Sequence, residues 1–311
     1  MPECVVDAHV HLPLNPPMTP DDLVSALRGH GIGAAVILGL PPAYEVVLNT
    51  LDTQHIAREH ERLVKRMGKY IVGLEEVLRP ESLIYSAIDL LNRYGRLCHH
   101  RPRGSGYVIL AGVDLSKDPE DLMVELEIIA DKGFAGFKII STIFFKYLDD
   151  PTVEAAFRVA SRRGLPLVVH TGCDPGIWEL PAYCKYGDPS KLEGLLDSYG
   201  EVRVVLAHAG SYSAVAPGVF IEETLSLVRR YENVYIDTSA LPPPIAARAA
   251  LSAGPERGLF GSDYPVVGLE SLSAYILSVE RSLREAGLGW DDINKIFRLN
   301  AEELFGVRCQ G

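Results

Sequence analysis

Short apolar runs closed by metal-binding side chains recur along this chain, and that recurrence constrains the fold more than any other feature. His9 and His11 end the first run (DAHVH), His170 ends LPLVVH, His208 ends VVLAH and Asp263 ends LFGSD, while Lys138 sits inside GFAGFKII. Imidazole and carboxylate are usual ligands at hydrolytic metal sites, where they leave room for a reactive water. One polar residue closing a strand is ordinary. Its repetition on strand after strand calls for an architecture in which strand ends converge, and a parallel barrel does that at one rim.

The spaces between the runs carry helix signals, the pattern of βα units. After the first run and a proline-rich loop, Thr19 stands as an N-cap, with Pro20 in the first helical position and Asp22 three residues after the cap. Gly29 and Gly31 end that helix. The second run is AAVILGL (34–40), followed by a polar helix over 51–67. Residues 70–106 exceed what one connection needs; they hold an expected helix at 81–94 and a basic loop, HHRPRGSG. The third run is YVILAGVDL, and helices expected over 118–132 and 152–163 flank the fourth, AGFKII. LPLVVH, VRVVLAH, NVYIDTS and GLFGSD complete the set, and a helical region over 272–305 closes the chain. The expectation is an α/β protein, a (β/α)8 barrel forming one domain over residues 1–311, with an elaborated connection after the second strand.

Composition agrees with that reading and narrows the function. A chain of 311 residues with 47% hydrophobic content can bury a barrel-sized core. A net charge of -11 with no basic stripe argues against nucleic acid as a partner. No apolar run reaches the roughly 18 residues of a membrane span. The N-terminus lacks the basic head and apolar core of a signal peptide. Cys4, Cys98, Cys173, Cys184 and Cys309 are odd in number and scattered, which does not read as a disulfide framework. The expectation is a cytoplasmic protein with free thiols, Cys173 being a packed thiol near the site.

His9 and His11, two apart on a strand, share a face and can reach one ion. His170 fits a ligand, and His208 fits either a ligand or a group that holds the reactive water. Asp263 could be a helix N-cap, but in a closed barrel its run ends beside the first strand, where a carboxylate can bind the ion and accept a proton. Lys138 is costly inside a barrel strand unless paired. It could be carboxylated and bridge two ions, bind a substrate anion, or neutralise nearby aspartates. Asp237 supports the site or bonds a strand end. The loop over 171–191, with Trp178, Tyr183 and Tyr186, is expected over the mouth. Arg101 and Arg103 read as a solvated loop, and His30, His55 and His60 as helix-surface residues.

DAHVH, GFAGFKI, LPLVVHTG, VRVVLAHAG, NVYIDTS, GLFGSDYP and IFRLNAEELFGV together resemble the amidohydrolase superfamily. Within it, the chain is similar to the amidohydrolase-related group of metal-dependent hydrolases and nonoxidative decarboxylases. The resemblance covers nearly the whole chain. It implies that His9, His11, His170 and Asp263 bind one catalytic divalent ion, often zinc, and that His208 orients or deprotonates the water, with Asp263 and His208 as the catalytic pair. It places Lys138 where binuclear members carry a carboxylated lysine bridging a second ion. It also implies a small-molecule substrate and a homodimer. Hydrolysis of an amide, cyclic amide, lactone or ester is the leading expectation; decarboxylation of a small aromatic or unsaturated acid is the alternative.

Overall fold

The computed structural model describes residues 4–11, 19–40, 106–174 and 177–309. The expected helices at 51–67 and 81–94, the elaborated connection up to residue 105, the proline-rich loop at 12–17, and His55, His60, Cys98, Arg101 and Arg103 lie outside them.

Strands β1 (Val5–Val10), β2 (Ile32–Leu38), β3 (Tyr107–Gly112), β4 (Phe137–Ile139), β5 (Leu167–Gly172), β6 (Val204–Tyr212), β7 (Val234–Asp237) and β8 (Gly258–Leu259) form one sheet in sequential order. Every neighbouring pair is parallel. The bridge Val10–Tyr264 and the bonds Ala8 N–H to Phe260 O (2.9 Å) and His11 N–H to Tyr264 O (2.7 Å) return the last strand to the first. This is the (β/α)8 barrel expected from the sequence.

The helices begin where local chemistry says they should. Helix α1 (Pro20–Arg28) has a full capping box: the Thr19 hydroxyl accepts from Asp22 N–H, and the Asp22 carboxylate accepts from Thr19 N–H. Helices α2 (Pro119–Asp131) and α3 (Pro151–Arg163) start with proline behind an aspartate cap, Asp118 and Asp150. Small helices α4 (Pro181–Cys184) and α5 (Glu193–Ser198) follow β5; α6 (Ile221–Arg230) and α7 (Pro243–Ala253) flank β7. The closing region comprises α8 (Leu269–Glu285), α9 (Trp290–Asn294) and α10 (Asn300–Phe305); Gly287 turns the chain after α8 at φ +98°, and a π-helical turn (Lys295–Leu299) joins α9 to α10.

Alternation within the strands divides the core. Leu167 and Val169 of β5 and Phe137 and Ile139 of β4 pack in the cluster that includes the surrounding helices. Val6, Ala8, Ala34, Val36, Val168, Val205 and Ala207 form a second cluster with Leu304, Phe305 and Val307 from the end of the chain. On β4 the residue between the two phenylalanine-face positions is Lys138, and on β5 the residue two after Val168 is His170. Both therefore sit on the face away from the helices.

Two disulfides correct the reading of the cysteines. Cys4 bonds Cys309, joining the start of β1 to the end of the chain, and Cys173 bonds Cys184, joining the end of β5 to α4. Cys173 is thus not a free thiol. Scatter along the chain hid the pairing because a closed barrel brings its first and last residues together. Four paired cysteines also remove one support for a cytoplasmic assignment, since disulfides are rare in reducing compartments. Among the described residues, no helix is long and apolar enough to cross a membrane.

Candidate metal centre and active-site pocket

His9 is fully buried on β1. Its Nδ1–H donates to Asp237 Oδ2 at 2.9 Å, which turns Nε2 inward. There Nε2 is buried, has no hydrogen-bond partner among the described residues, and lies 3.4 Å from Asp263 Oδ1. His11 is built alike: Nδ1–H donates to Leu38 O at 2.8 Å, and Nε2 lies 3.4 Å from the same Asp263 oxygen. An outer nitrogen fixed by a carboxylate or a backbone carbonyl is how metal-ligating histidines are oriented. Ligand atoms of His9, His11 and Asp263 fall within 4.8 Å of one another. A buried, unpaired imidazole nitrogen costs about 1–3 kcal/mol, and a cation at this point would relieve that cost. The donor set fits a divalent metal ion.

Backbone geometry delivers Asp263. Beyond β8 the chain passes so close to β1 that a Cβ on Gly261 would lie 2.8 Å from His9 Cβ and 2.9 Å from Ser239 Cβ. Only glycine fits there. Asp263 then takes a left-handed conformation (φ 60°), held by its N–H donating to His9 O at 2.8 Å and by Val266 N–H donating to its own carbonyl at 2.7 Å. This is why β8 is shorter than the apolar run that predicts it.

His208 is re-aimed by a bulge. On β6, Ala207 pairs with His170 and Tyr212 with Gly172, so four residues of β6 face one of β5. His208, Ala209 and Gly210 have φ of 59°, 47° and 71°. Bulges at barrel rims redirect side chains in this way. His208 N–H donates to Asp237 Oδ1 at 2.9 Å, and its Nδ1–H to Ser239 O at 3.1 Å. Its ring lies 4.7 Å from that of His9 and 4.9 Å from that of His170. His9, His208 and Asp237 also approach within 4.8 Å. Asp237, however, already accepts from His9, from the backbone of His208 and Ser239, and from the Ser239 hydroxyl. That grouping is a support for the histidines, and Asp237 is its hub.

The structure brings together three of the four expected ligands. His170 lines the same pocket, but its Nε2 faces Cys173 O (3.1 Å) and Asp174 Oδ2 (3.3 Å). Lys138 is 1% exposed, and its Nζ has no hydrogen-bond partner among the described residues. His30 bonds Ser273 away from the site, as a helix-end residue should.

Burial sets the charges. It drives the His9 imidazolium well below the ordinary histidine value, with Lys138 adding to the effect, and it does the same to His208. His170 is lowered by burial too. Lys138 is pushed down to about 8 by burial, against the pull of Asp237, Asp263 and Asp174. For Asp263 burial works upward, but the His11 hydrogen bond and the charges of His9, His11 and Lys138 outweigh it and hold the carboxyl below its usual range. Burial raises Asp7 to about 7; its carboxylate accepts from His9 N–H and Ser262 N–H, tying the first strand to the last. A neutral imidazole at His9 and an ionised carboxylate at Asp263 are the protonation states that metal binding requires.

The pocket above holds about 270 Å³. Its floor is His9, His11, Lys138, His170, His208 and Asp263, with Asp174 and Tyr212 at the side; Leu40, Ile140, Ile143, Trp178, Pro265 and Val266 form apolar walls. Asp174, Ser239 and Tyr212 were not singled out from sequence. Ser239 had a signal, lying two residues after Asp237 in the turn that leaves β7; Asp174 and Tyr212 reach the pocket only through the folding of a loop and a bulge.

A family model described as Amidohydrolase matches residues 6–307. The chain belongs to the amidohydrolase family. Among solved structures, this chain is similar to 5-carboxyvanillate decarboxylase from Sphingomonas paucimobilis, at 15% identity and a TM-score of 0.59 over 98% of this chain and 100% of that one. It is also similar to 2,6-dihydroxybenzoate decarboxylase from Rhizobium, at 16% identity and a TM-score of 0.56 over 98% of both chains. A third is a dihydroxybenzoic acid decarboxylase from Polaromonas sp. JS666 with bound manganese and the inhibitor 2-nitroresorcinol, at 14% identity and a TM-score of 0.55 over 98% of this chain and 96% of that one. At these identities the likeness is one of fold. No curated protein matches the chain.

Proposed function

We propose that the protein is a divalent-metal-dependent, nonoxidative decarboxylase of a small aromatic carboxylic acid. The observation that carries this reading is the division of the pocket. Apolar walls from Leu40, Ile140, Ile143, Trp178 and Val266 suit the faces of a ring, and a polar floor with the buried cation Lys138 suits a carboxylate and its neighbouring oxygens. The decarboxylases that share its fold support the same reaction class. Hydrolysis, the leading expectation from sequence, would use the same cluster on a neutral amide, lactone or ester, for which the buried cation has no counterpart.

A divalent ion held by His9, His11 and Asp263 would supply Lewis acidity toward the substrate's oxygens. The residues of the chain do the rest. Asp237 and the Leu38 carbonyl hold the two histidines in orientation. Lys138 balances the negative charge of the floor, as a substrate and structural cation and not a carboxylated bridge. The carbon that loses carbon dioxide takes up one proton; Asp263, ionised at rest, would first take that proton from solvent entering the pocket and then deliver it to the ring carbon, with the His208 imidazole lining the same floor. The mixed imidazole and carboxylate donors accept either zinc, implied by the family resemblance, or manganese, bound in the Polaromonas structure.

The test is a substrate panel on protein loaded with manganese or with zinc. Carbon dioxide release from 2,6-dihydroxybenzoate, 5-carboxyvanillate or a related hydroxylated benzoate, with the protonated ring as product, is the expected result. Turnover of lactones or cyclic amides with no carbon dioxide from any acid would overturn the reading.

A further inference from the structure

The pocket wall at Trp178 belongs to the segment that leaves β5 and returns to it. The indole is 4% exposed, and its Nε1–H is buried without an acceptor among the described residues. Its place is therefore set by its surroundings and not by a hydrogen bond of its own. Phe145 stacks on it with 6.5 Å between centroids. Glu179, the next residue, accepts from Ser213 Oγ at 2.7 Å and Ala214 N–H at 2.6 Å, which ties the segment to the loop after β6. Asp174 accepts from the Thr142 hydroxyl and the Tyr183 ring packs edge-on against Phe145, and a covalent tie closes the segment on itself: Cys184 bonds Cys173 across 4.4 Å between Cα atoms.

Cys173 is itself fixed to the strand end. Its N–H donates to Tyr212 O at 2.6 Å, and its carbonyl accepts from His170 Nε2 at 3.1 Å. Just beyond Cys184 the chain lies flat on β5, where a Cβ on Gly187 would be 1.8 Å from Gly172 O. By contrast, Asp237, the Leu38 carbonyl, the His9 carbonyl and the Tyr212 side chain, which bond His9, His11 and Asp263, lie outside this segment.

We propose that the Cys173–Cys184 disulfide is a thiol-sensitive latch on substrate binding. Oxidised, it fixes Trp178 as the wall against which the substrate's ring packs; reduced, it frees that wall and leaves the cluster of His9, His11 and Asp263 in place. What packs on the wall rests on the decarboxylase reading above, but the movement of the wall does not. A dithiol such as dithiothreitol opens the latch by thiol–disulfide exchange: the protein disulfide gains two electrons and two protons to become two thiols, and the reagent closes to its cyclic disulfide.

The chain supplies its own reporter. It has two tryptophans; Trp290 is 50% exposed on α9 under the Arg284 guanidinium, so Trp290→Phe leaves buried Trp178 as the sole tryptophan, excited selectively at wavelengths the tyrosines do not absorb. Reducing the manganese-loaded Trp290→Phe protein should move its emission to longer wavelength and make it more accessible to acrylamide. KM for the acid substrate should rise about ten-fold with kcat within about two-fold, the loss of one packed aromatic face. Reoxidation should reverse every change, and bound metal should stay constant. Cys184→Ser should show the shift without reductant, whereas Cys4→Ser, which opens only the other disulfide, should not. Unchanged emission and quenching in protein whose thiols are counted as open would overturn the latch. So would metal lost together with the disulfide. Both readouts are free of substrate, so they decide the latch even if no acid is turned over, and the Trp290→Phe protein decides it even if Cys184→Ser does not fold.

Discussion

Replacing Cys309 by serine opens the disulfide that joins the two ends of the barrel, and its cost follows from the separation of the partners. Cys4 and Cys309 are 305 residues apart. In the chain-entropy account, a cross-link closing about 100 residues stabilises by about 4.7 kcal/mol; length enters as a logarithm, so tripling it adds only about 1 kcal/mol, for a total of about 5–6 kcal/mol. Little is lost on the folded side, because Cys309 is only partly buried at the edge of the inner cluster and serine is of similar size. With an unfolding entropy of about 2.1 cal/mol/K per residue over 311 residues, the same loss lowers Tm by about 9 °C. The assay is equilibrium unfolding in guanidinium, reversibility checked, for wild type and Cys309→Ser with and without dithiothreitol. The m-value of the variant should rise, since its unfolded chain expands further. Four paired cysteines out of five also mean that no more than one thiol per chain should titrate in unreduced, denatured protein. A loss below about 1 kcal/mol, or four or more reactive thiols before reduction, would refute the reasoning.

Three further outcomes follow from the site. Asp263→Asn should keep the far-ultraviolet dichroism and lose at least about 10³-fold in kcat, because it removes both a ligand charge and the proton carrier; a variant near wild-type activity would remove Asp263 from the mechanism. Asp237→Ala strips the acceptor from His9, from two backbone N–H groups and from Ser239, so metal affinity measured by competition with a chelator should fall about 10–100-fold. Dialysis against a chelator should abolish activity and lower Tm, and stoichiometry by mass spectrometry on reloaded protein should return about one ion per chain, since among the described residues His9, His11 and Asp263 form one donor cluster facing the pocket; two ions would restore a bridging role for Lys138.

Much of the barrel was legible because its signals are local. Thr19, Asp118 and Asp150 cap helices through contacts within three residues, and Phe137, Lys138 and Ile139 reveal the two faces of β4 by alternation alone. The site was legible to the extent that strand ends converge: His9, His11 and Asp263 meet as expected. What remained hidden depends on long-range geometry. The orientation of His170 is set by Cys173 and Asp174 in the loop that follows, and no periodicity reports which way a ring turns at a strand end. His208 reaches the pocket through a bulge whose register belongs to β5 and β6 together. Asp237 could be read as support or as strand-end bonding, and only the arrival of His9 and His208 at both its oxygens distinguishes them. The Cys4–Cys309 disulfide was hidden because one partner's sequence neighbourhood says nothing about a residue 305 positions away, and Cys173–Cys184, only 11 apart, because nothing local reports that the segment after β5 folds back on itself.

His208, Ala209 and Asp263 adopt left-handed backbone at the rim. This conformation costs an ordinary L residue about 1–2 kcal/mol, and glycine or asparagine escape most of that cost. Stability and chemistry therefore pull in opposite directions at the same positions. A laboratory selection for heat resistance alone would gather substitutions at 208 and 263 and return sturdy barrels with no reaction to perform. One that also demands turnover would be driven elsewhere, and Ala209 is the first place it should look, because glycine there relaxes the bend without touching a side chain that the pocket uses.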